Sequence, residues 1–135
     1  MKVLLDTPIW SWWLLGSERL SVAERCCLDQ LAAAGGAHLS AMSLWEAQML
    51  HSKGRLSLDR PLAAWLRQAA AADVVVLLPL DVEVVLALDH LPQGFHGDPA
   101  DWLIVATALT HGLPLASQDR AIQASGVIPM WEASA

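Results

Sequence analysis

The chain contains few cysteines, few charged residues and only one aromatic residue that is not tryptophan. Its two cysteines, Cys26 and Cys27, are adjacent in an alanine-rich stretch, which excludes a zinc site built on cysteine pairs and predicts buried structural side chains. Eight basic residues stand against fourteen acidic ones, and the net charge is −6. Bulk positive charge therefore cannot attract nucleic acid, so RNA contacts would need a metal ion or a local basic group.

A long apolar run that would suit a membrane span is also missing. The longest uncharged segment, residues 102–118, is interrupted by His111-Gly112 and by Pro114, which predicts a helix followed by a strand. Asp6 stands where a signal peptide would continue its apolar region. We therefore expect a cytoplasmic protein without membrane contact, and 135 residues are enough for one domain, 1–135, with its own core.

Apolar segments alternate between strand-like and helix-like patterns along the chain. Strands are predicted at residues 2–5, 37–39, 74–78 and 113–116, with 74–78 as a buried strand. Helices are predicted between them, and residues 90–99 form the clearest loop because they contain two prolines and two glycines. Strands that alternate with helices predict an α/β fold with a central parallel sheet covered on both faces.

Four carboxylates fall where this pattern directs them to one edge of the sheet. Asp6 and Asp119 follow predicted strands, Glu46 lies in the helix after the second strand, and Asp101 lies in the first turn of its helix. Ligands of parallel sheets bind at the carboxyl ends of the strands. Because clustered acids repel each other, the set predicts a site for Mg²⁺ or Mn²⁺ and a metal-dependent phosphodiesterase.

The expected roles of these acids differ. Asp6 and Asp101 are expected to be direct metal ligands, because Mg²⁺ takes only one or two carboxylates and keeps several waters. Glu46 and Asp119 would hold bound water or a second ion, and one of them would help to deprotonate the attacking water. Hydrolysis would leave a 5′-phosphate and a 3′-hydroxyl. Asp98 and Asp119 can alternatively be helix caps, and Asp101 a first-turn charge favoured by the helix dipole.

Four segments carry a family resemblance in register along nearly the whole chain. They are Leu4-Leu5-Asp6-Thr7, Ser43-Leu44-Trp45-Glu46, His96-Gly97-Asp98-Pro99-Ala100-Asp101 and Leu113-Pro114-Leu115-Ala116-Ser117-Gln118-Asp119. In this order they resemble the PIN-domain ribonuclease toxins of the VapC type.

The resemblance implies a three-layer α/β/α PIN fold and an Mg²⁺- or Mn²⁺-dependent endoribonuclease, the toxin of a type II toxin–antitoxin pair. It also implies a homodimer and a cognate antitoxin that covers the active site, with DNA contacted only through the antitoxin. By position, Asp6, Glu46, Asp101 and Asp119 match the acidic quartet of the family, Asp98 matches an accessory acid, and Thr7 and Ser117 match hydroxyl positions near the metal.

Basic residues near the Gly54 turn are candidates for RNA contacts. Lys53, Arg55 and Arg60 flank this turn, and Arg120 follows Asp119. A solvated surface explains them equally well. His96, in the predicted loop, can act in proton transfer or be incidental.

Seven tryptophans and no tyrosine make up an unusual aromatic set. Trp10, Trp13, Trp45 and Trp65 lie among aliphatic residues at helical spacing, which predicts core or dimer packing. Base stacking stays open for the exposed indoles, and the role of Trp12 is undecided.

Two other functions compete with the nuclease. One is a phosphohydrolase that forms an aspartyl-phosphate on Asp6, but Pro8 stands where such enzymes usually carry a second acid. The other is a catalytically silent PIN module that acts only by protein–protein binding, and the complete acidic quartet argues against it.

Overall fold

A central parallel sheet organises the protein, whose computed structural model describes residues 1–92 and 98–133. Within these residues the sheet has four strands: β1 (Val3–Leu5), β2 (Ala37–Ser40), β3 (Val76–Leu78) and β4 (Leu115–Ala116). Their order is β3-β2-β1-β4, and every pairing is parallel. The strand β1 is therefore central, with Leu4 paired to His38 on one side and to Leu115 on the other.

Helices connect the strands and cover the sheet. They are α1 (Thr7–Leu15), α2 (Val22–Ala33), α3 (Ala41–Ser52), α4 (Leu62–Ala69), α5 (Val82–Ala87), α6 (Pro99–His111) and α7 (Arg120–Ser125), with a 3₁₀ turn at Leu88–His90. Polar residues begin most of them, and Ser21 forms a reciprocal capping box with Glu24. Across the described parts of the chain, no helix combines the length and the apolar character that crossing a membrane requires.

The core lies on both faces of the sheet because successive side chains of a strand point to opposite faces. Val3 and Leu5 of β1 pack with α1 and α2, and Leu4 packs with Ile104 and Val105 of α6. These β1 side chains are fully buried. The predicted three-layer α/β/α fold with a central parallel sheet is therefore confirmed.

The predicted burial of β3 and of the two cysteines is wrong. Val76 and Leu77 were expected in a buried strand, but they are 40% and 43% exposed because β3 is an edge strand. Cys26 is exposed and Cys27 is half-buried, because α2 turns Leu28 and Leu31 towards the core instead.

The tryptophans divide between the core and the surface. Trp10 and Trp65 are buried with ring centroids 5.1 Å apart, and Trp10 Nε1 donates to the Ala69 carbonyl at 2.9 Å. Trp13 is half-buried and donates to Asp29. Trp45 is 52% exposed, so core packing is wrong for this residue and dimer packing stays a prediction.

Candidate metal centre

Asp6 lies at the junction of β1 and α1. Its backbone N–H donates to the Ala116 carbonyl at 3.1 Å, which extends the sheet by one bond beyond Leu5. Its Oδ1 accepts from Ile9 N at 2.8 Å and caps α1. The sequence produces this geometry because a strand ends in an acid and Pro8 suits the first turn of a helix. The carboxylate is only 6% exposed.

Glu46 reaches the same edge from α3. Its side chain is 7% exposed, and Oε1 is buried without a hydrogen-bond partner among the described residues. The Thr7 hydroxyl donates to Ser43 Oγ at 2.8 Å, and its interaction with the Glu46 carboxyl lowers the pKa of Glu46. A buried carboxylate oxygen without a partner is costly, and a cation would satisfy it.

Asp98 and Asp101 bring two more carboxylates to Glu46 from the start of α6. Asp98 Oδ1 accepts from Asp101 N at 3.1 Å, so the helix-cap interpretation holds for Asp98. One carboxylate oxygen from each of Glu46, Asp98 and Asp101 lies within 4.8 Å of the others. Asp98, expected only as an accessory acid, thus belongs to the most compact acid group in the described part of the chain.

Asp119 faces Asp6 and Asp101 across a cavity of about 320 Å³. Its Oδ1 accepts from Ala121 N at 2.9 Å and from Ile122 N at 3.1 Å, so it also caps α7, as the alternative interpretation expected. Both capping bonds use the same oxygen, which leaves Oδ2 for the cavity. The side chains that line the cavity come from the junction of β1 and α1, from α1 and the loop after it, from α6 and from the loop after β4: Asp6, Pro8, Trp12, Arg19, Asp101, Gln118 and Asp119.

Burial and mutual repulsion raise the pKa values of these acids. Burial raises the pKa of Asp6 from 3.8 to about 7, and Asp101 and Glu46 add to the rise. Burial also raises the pKa of Asp101 to about 6, assisted by the charges of Asp98, Glu46 and Asp119. The pKa of Glu46 is raised mainly by burial. These carboxyl groups therefore lose their protons less readily than free ones unless a cation binds beside them.

The donor set fits a hard divalent cation. All candidate ligands are carboxylate oxygens, which Mg²⁺ and Mn²⁺ prefer over nitrogen or sulfur. Glu46 Oε1, which lacks a hydrogen-bond partner within residues 1–92 and 98–133, lies next to two further carboxylates, and this local observation supports the fit.

Two predicted hydroxyl residues lie beside the acids. Thr7 and Ser117 are 2% and 7% exposed, so both are core positions despite their polar side chains. The Ser117 hydroxyl lowers the pKa of Asp6, and its oxygen accepts from Asp119 N at 3.0 Å. It thereby connects two of the four acids.

The predicted RNA contacts are not part of the cavity. Lys53, Arg55 and Arg120 are exposed, and none of them lines the cavity that contains Asp6. Arg60 instead pairs with Asp59 at 2.9 Å. His96 lies outside the described residues.

Arg19 lines the acid cavity and was missed by sequence reasoning. It follows α1 by a short turn, and its guanidinium carbon lies 5.3 Å from the centroid of the Trp12 ring. The only signal for Arg19 in the sequence was that a basic residue stands in the loop between α1 and α2. That signal is weak, because the path of a loop is not encoded by local pattern.

Comparisons with known proteins agree with this geometry. The PIN domain family profile matches residues 3–126. Ribonuclease VapC22 of Mycobacterium tuberculosis (strain ATCC 25618 / H37Rv) is 36% identical over 124 residues, which are 90% of this chain and 89% of the relative.

Solved structures share the fold at lower identity. VapBC2 from Rickettsia felis, bound to a promoter DNA fragment, matches with a TM-score of 0.70 and 15% identity over 99% of this chain and 100% of the other. FitAcB from Neisseria gonorrhoeae matches with a TM-score of 0.70 and 22% identity over 96% of both chains. The resemblance to VapC-type proteins is confirmed, and the chain belongs to the PIN-domain family.

Proposed function

We propose that residues 1–135 form a single PIN domain that acts as a metal-dependent endoribonuclease, the toxin of a type II toxin–antitoxin pair. The observation that carries this proposal is the buried Oε1 of Glu46, which has no hydrogen-bond partner in the described parts of the chain and lies beside the carboxylates of Asp98 and Asp101. Such a group is costly without a cation and is suited to binding one. The 36% identity to Ribonuclease VapC22 supports RNA as the substrate class.

Asp6, Glu46, Asp101 and Asp119 hold Mg²⁺ or Mn²⁺ in this proposal, with Asp98 as an accessory acid. Membership of the most compact acid group supports a direct role for Asp101. Asp6 uses Oδ1 to cap α1, so its other oxygen is available to an ion. Thr7 and Ser117 orient the carboxylates of Glu46 and Asp6, respectively.

The reaction is hydrolysis of a phosphodiester bond. A bound divalent ion stabilises charge on the phosphoryl oxygens and makes water more acidic. The water oxygen bonds to phosphorus while the bond from phosphorus to the 3′ oxygen breaks, and the departing 3′ oxygen takes a proton from solvent water, which leaves a 5′-phosphate and a 3′-hydroxyl. Asp119 accepts the proton of the attacking water on Oδ2, because capping of α7 occupies Oδ1.

The test is cleavage of total RNA by the purified, partner-free protein with Mg²⁺ or Mn²⁺. We expect cleavage to be lost in EDTA and in Asp6→Asn, and to be retained in Asp73→Asn, which removes an exposed acid from the turn before β3. Product ends should be 5′-phosphate and 3′-hydroxyl. Products with 2′,3′-cyclic phosphate ends would refute the hydrolytic mechanism.

The competing function is a silent module that acts by protein–protein binding. A folded protein that binds Mn²⁺ but cleaves no RNA from its own host would favour that module. Growth arrest upon expression, abolished by Asp6→Asn, would favour the nuclease.

A cognate antitoxin is the proposed protein partner, and DNA is contacted only through it. The Rickettsia felis relative was solved as VapBC2 with promoter DNA, and another structure of the same fold is a toxin–antitoxin complex from Klebsiella pneumoniae. Because both the RNA and such a partner are met in the cytoplasm, we place the protein there. Co-purification with the product of a neighbouring small gene, and inhibition of cleavage by it, would support the pairing.

A homodimer is proposed as well. Leu77, Val82 and Leu86 are exposed apolar side chains on β3 and α5, and we propose that they belong to the face that a second copy covers. Light scattering should give the mass of a dimer for the wild type and for Val22→Glu, an exposed position on α2. Leu86→Glu should give a monomer, and an unchanged mass would exclude this face.

A further inference from the structure

Trp12 and Arg19 border the acid cavity on the side of the loop that joins α1 to α2. The guanidinium carbon of Arg19 lies 5.3 Å from the centroid of the Trp12 ring. This distance is within the range in which a cation is attracted to the face of an indole. Trp12 therefore holds the positive charge of Arg19 at the cavity.

The loop that carries Arg19 is fixed at both ends. Gly16 has a φ of 68°, which lets the chain leave α1, and Ser17 N donates to the Trp12 carbonyl at 2.9 Å. Leu20, the next residue after Arg19, is 1% exposed in the core. Gln118 Nε2 donates to the Arg19 carbonyl at 3.2 Å, which connects the loop to the segment after β4. The position of Arg19 is thus set before any ligand arrives.

The guanidinium of Arg19 is not engaged directly by the acids beside it. Asp6, Asp101 and Asp119 line the same cavity, yet within the described part of the chain Arg19 makes no ion pair with a carboxylate. A guanidinium that is held near a cavity and is not paired there can donate several hydrogen bonds to an incoming phosphate. In a chain of net charge −6, such a local cation matters more than bulk charge.

We propose that Arg19 binds a backbone phosphate of the RNA next to the bond that is cut, and that Trp12 is the positioning residue that holds its guanidinium. This inference rests on the proposed nuclease function. It assigns the phosphate contact to the loop between α1 and α2. The exposed residues Lys53, Arg55 and Arg120, which were expected to make such contacts, lie outside the cavity lining.

The test measures binding of a fluorescein-labelled, mixed-sequence, single-stranded RNA by anisotropy, with Ca²⁺ as the divalent ion and NaCl varied. Arg19→Gln should bind about tenfold more weakly, since one charge-assisted hydrogen-bonding group is lost. The slope of log K against log salt should become shallower by about 0.7, the value for one phosphate contact on a single strand. Arg67→Gln, which removes a charge from α4 that is also exposed, should keep the slope and affinity of the wild type.

Trp12→Leu should weaken binding but keep the salt slope, because the charge remains and only its position is lost. In the cleavage assay it should raise KM more than it lowers kcat. Thermal unfolding of each variant shows that it is folded.

The outcomes separate this inference from the proposed function. Wild-type affinity and slope in folded Arg19→Gln would overturn the inference even if the enzyme cleaves RNA. Wild-type protein that binds RNA through Arg19 but cleaves none would refute the nuclease and retain the phosphate contact. Absence of RNA binding by the wild type would overturn both.

Discussion

Asp6→Asn should stabilise the metal-free protein at alkaline pH while it removes a ligand of the proposed metal site. Asp6 is almost fully buried, and burial raises its pKa from 3.8 to about 7. The native protein therefore holds a proton that the unfolded chain has already lost across this interval. The resulting loss of folding stability is absent below the unfolded-state pKa of 3.8. It grows as the pH rises from 3.8 and is complete above about 7.

The magnitude follows from the same pKa values. At 1.36 kcal/mol for each tenfold change in acidity, the rise from 3.8 to about 7 corresponds to roughly 4 kcal/mol. Part of this penalty is already present at pH 5, and water that enters the cavity reduces the rest, so we expect roughly 1–2.5 kcal/mol lower stability at pH 8 than at pH 5 from this group. Asparagine keeps an oxygen for the bond from Ile9 N and therefore keeps the cap of α1.

The assay is urea unfolding in EDTA at pH 5 and pH 8. The wild type should lose stability between the two values, and Asp6→Asn should lose less and be the more stable protein at pH 8. Added Mg²⁺ should reverse the order by stabilising the wild type alone. Equal stability of the wild type at both pH values, or a less stable Asp6→Asn at pH 8, would refute the reasoning.

Further changes test the framework by urea unfolding. Trp10→Ala should lower the free energy of unfolding by about 3–5 kcal/mol because it removes a fully buried side chain and its bond to Ala69, and a loss below about 1 kcal/mol would contradict this. Gly36→Ala should cost about 1–3 kcal/mol because a Cβ would collide with the Met1 carbonyl oxygen, and an unchanged stability would show that the N-terminus moves freely. Ser21→Ala should cost about 1 kcal/mol through loss of the α2 capping box, whereas an unchanged midpoint would mean that water replaces the cap.

The fold was predictable where local pattern and long-range packing agree. The run that becomes β1 is apolar, ends in an acid and precedes a proline, and each of these features acts within a few residues. The exposure of Val76 and Leu77 was not predictable in the same way. It depends on the order of strands in the sheet, which sequence-local periodicity does not contain.

The candidate site likewise contains residues that local sequence pattern predicts and one residue that it does not. Asp6, Glu46, Asp101 and Asp119 could be selected because each has a fixed offset from a strand end or a helix start. The position of Arg19 depends on a contact with Gln118, which is 99 residues away in the chain. Long-range contacts of this kind set the loop path, and local pattern cannot reveal them.

The different surroundings of Asp6 and Arg19 also have a functional consequence. Asp6 extends the central strand β1, whose side chains are fully buried and whose backbone is paired on both sides. A costly buried carboxylate can be kept there because the surrounding packing leaves it no way to move. Arg19 lies on an exposed loop, so its replacement leaves the core intact. The proposed RNA contact at Arg19 can therefore change without damage to the core, whereas a change at Asp6 of the proposed metal site disturbs the sheet that supports it.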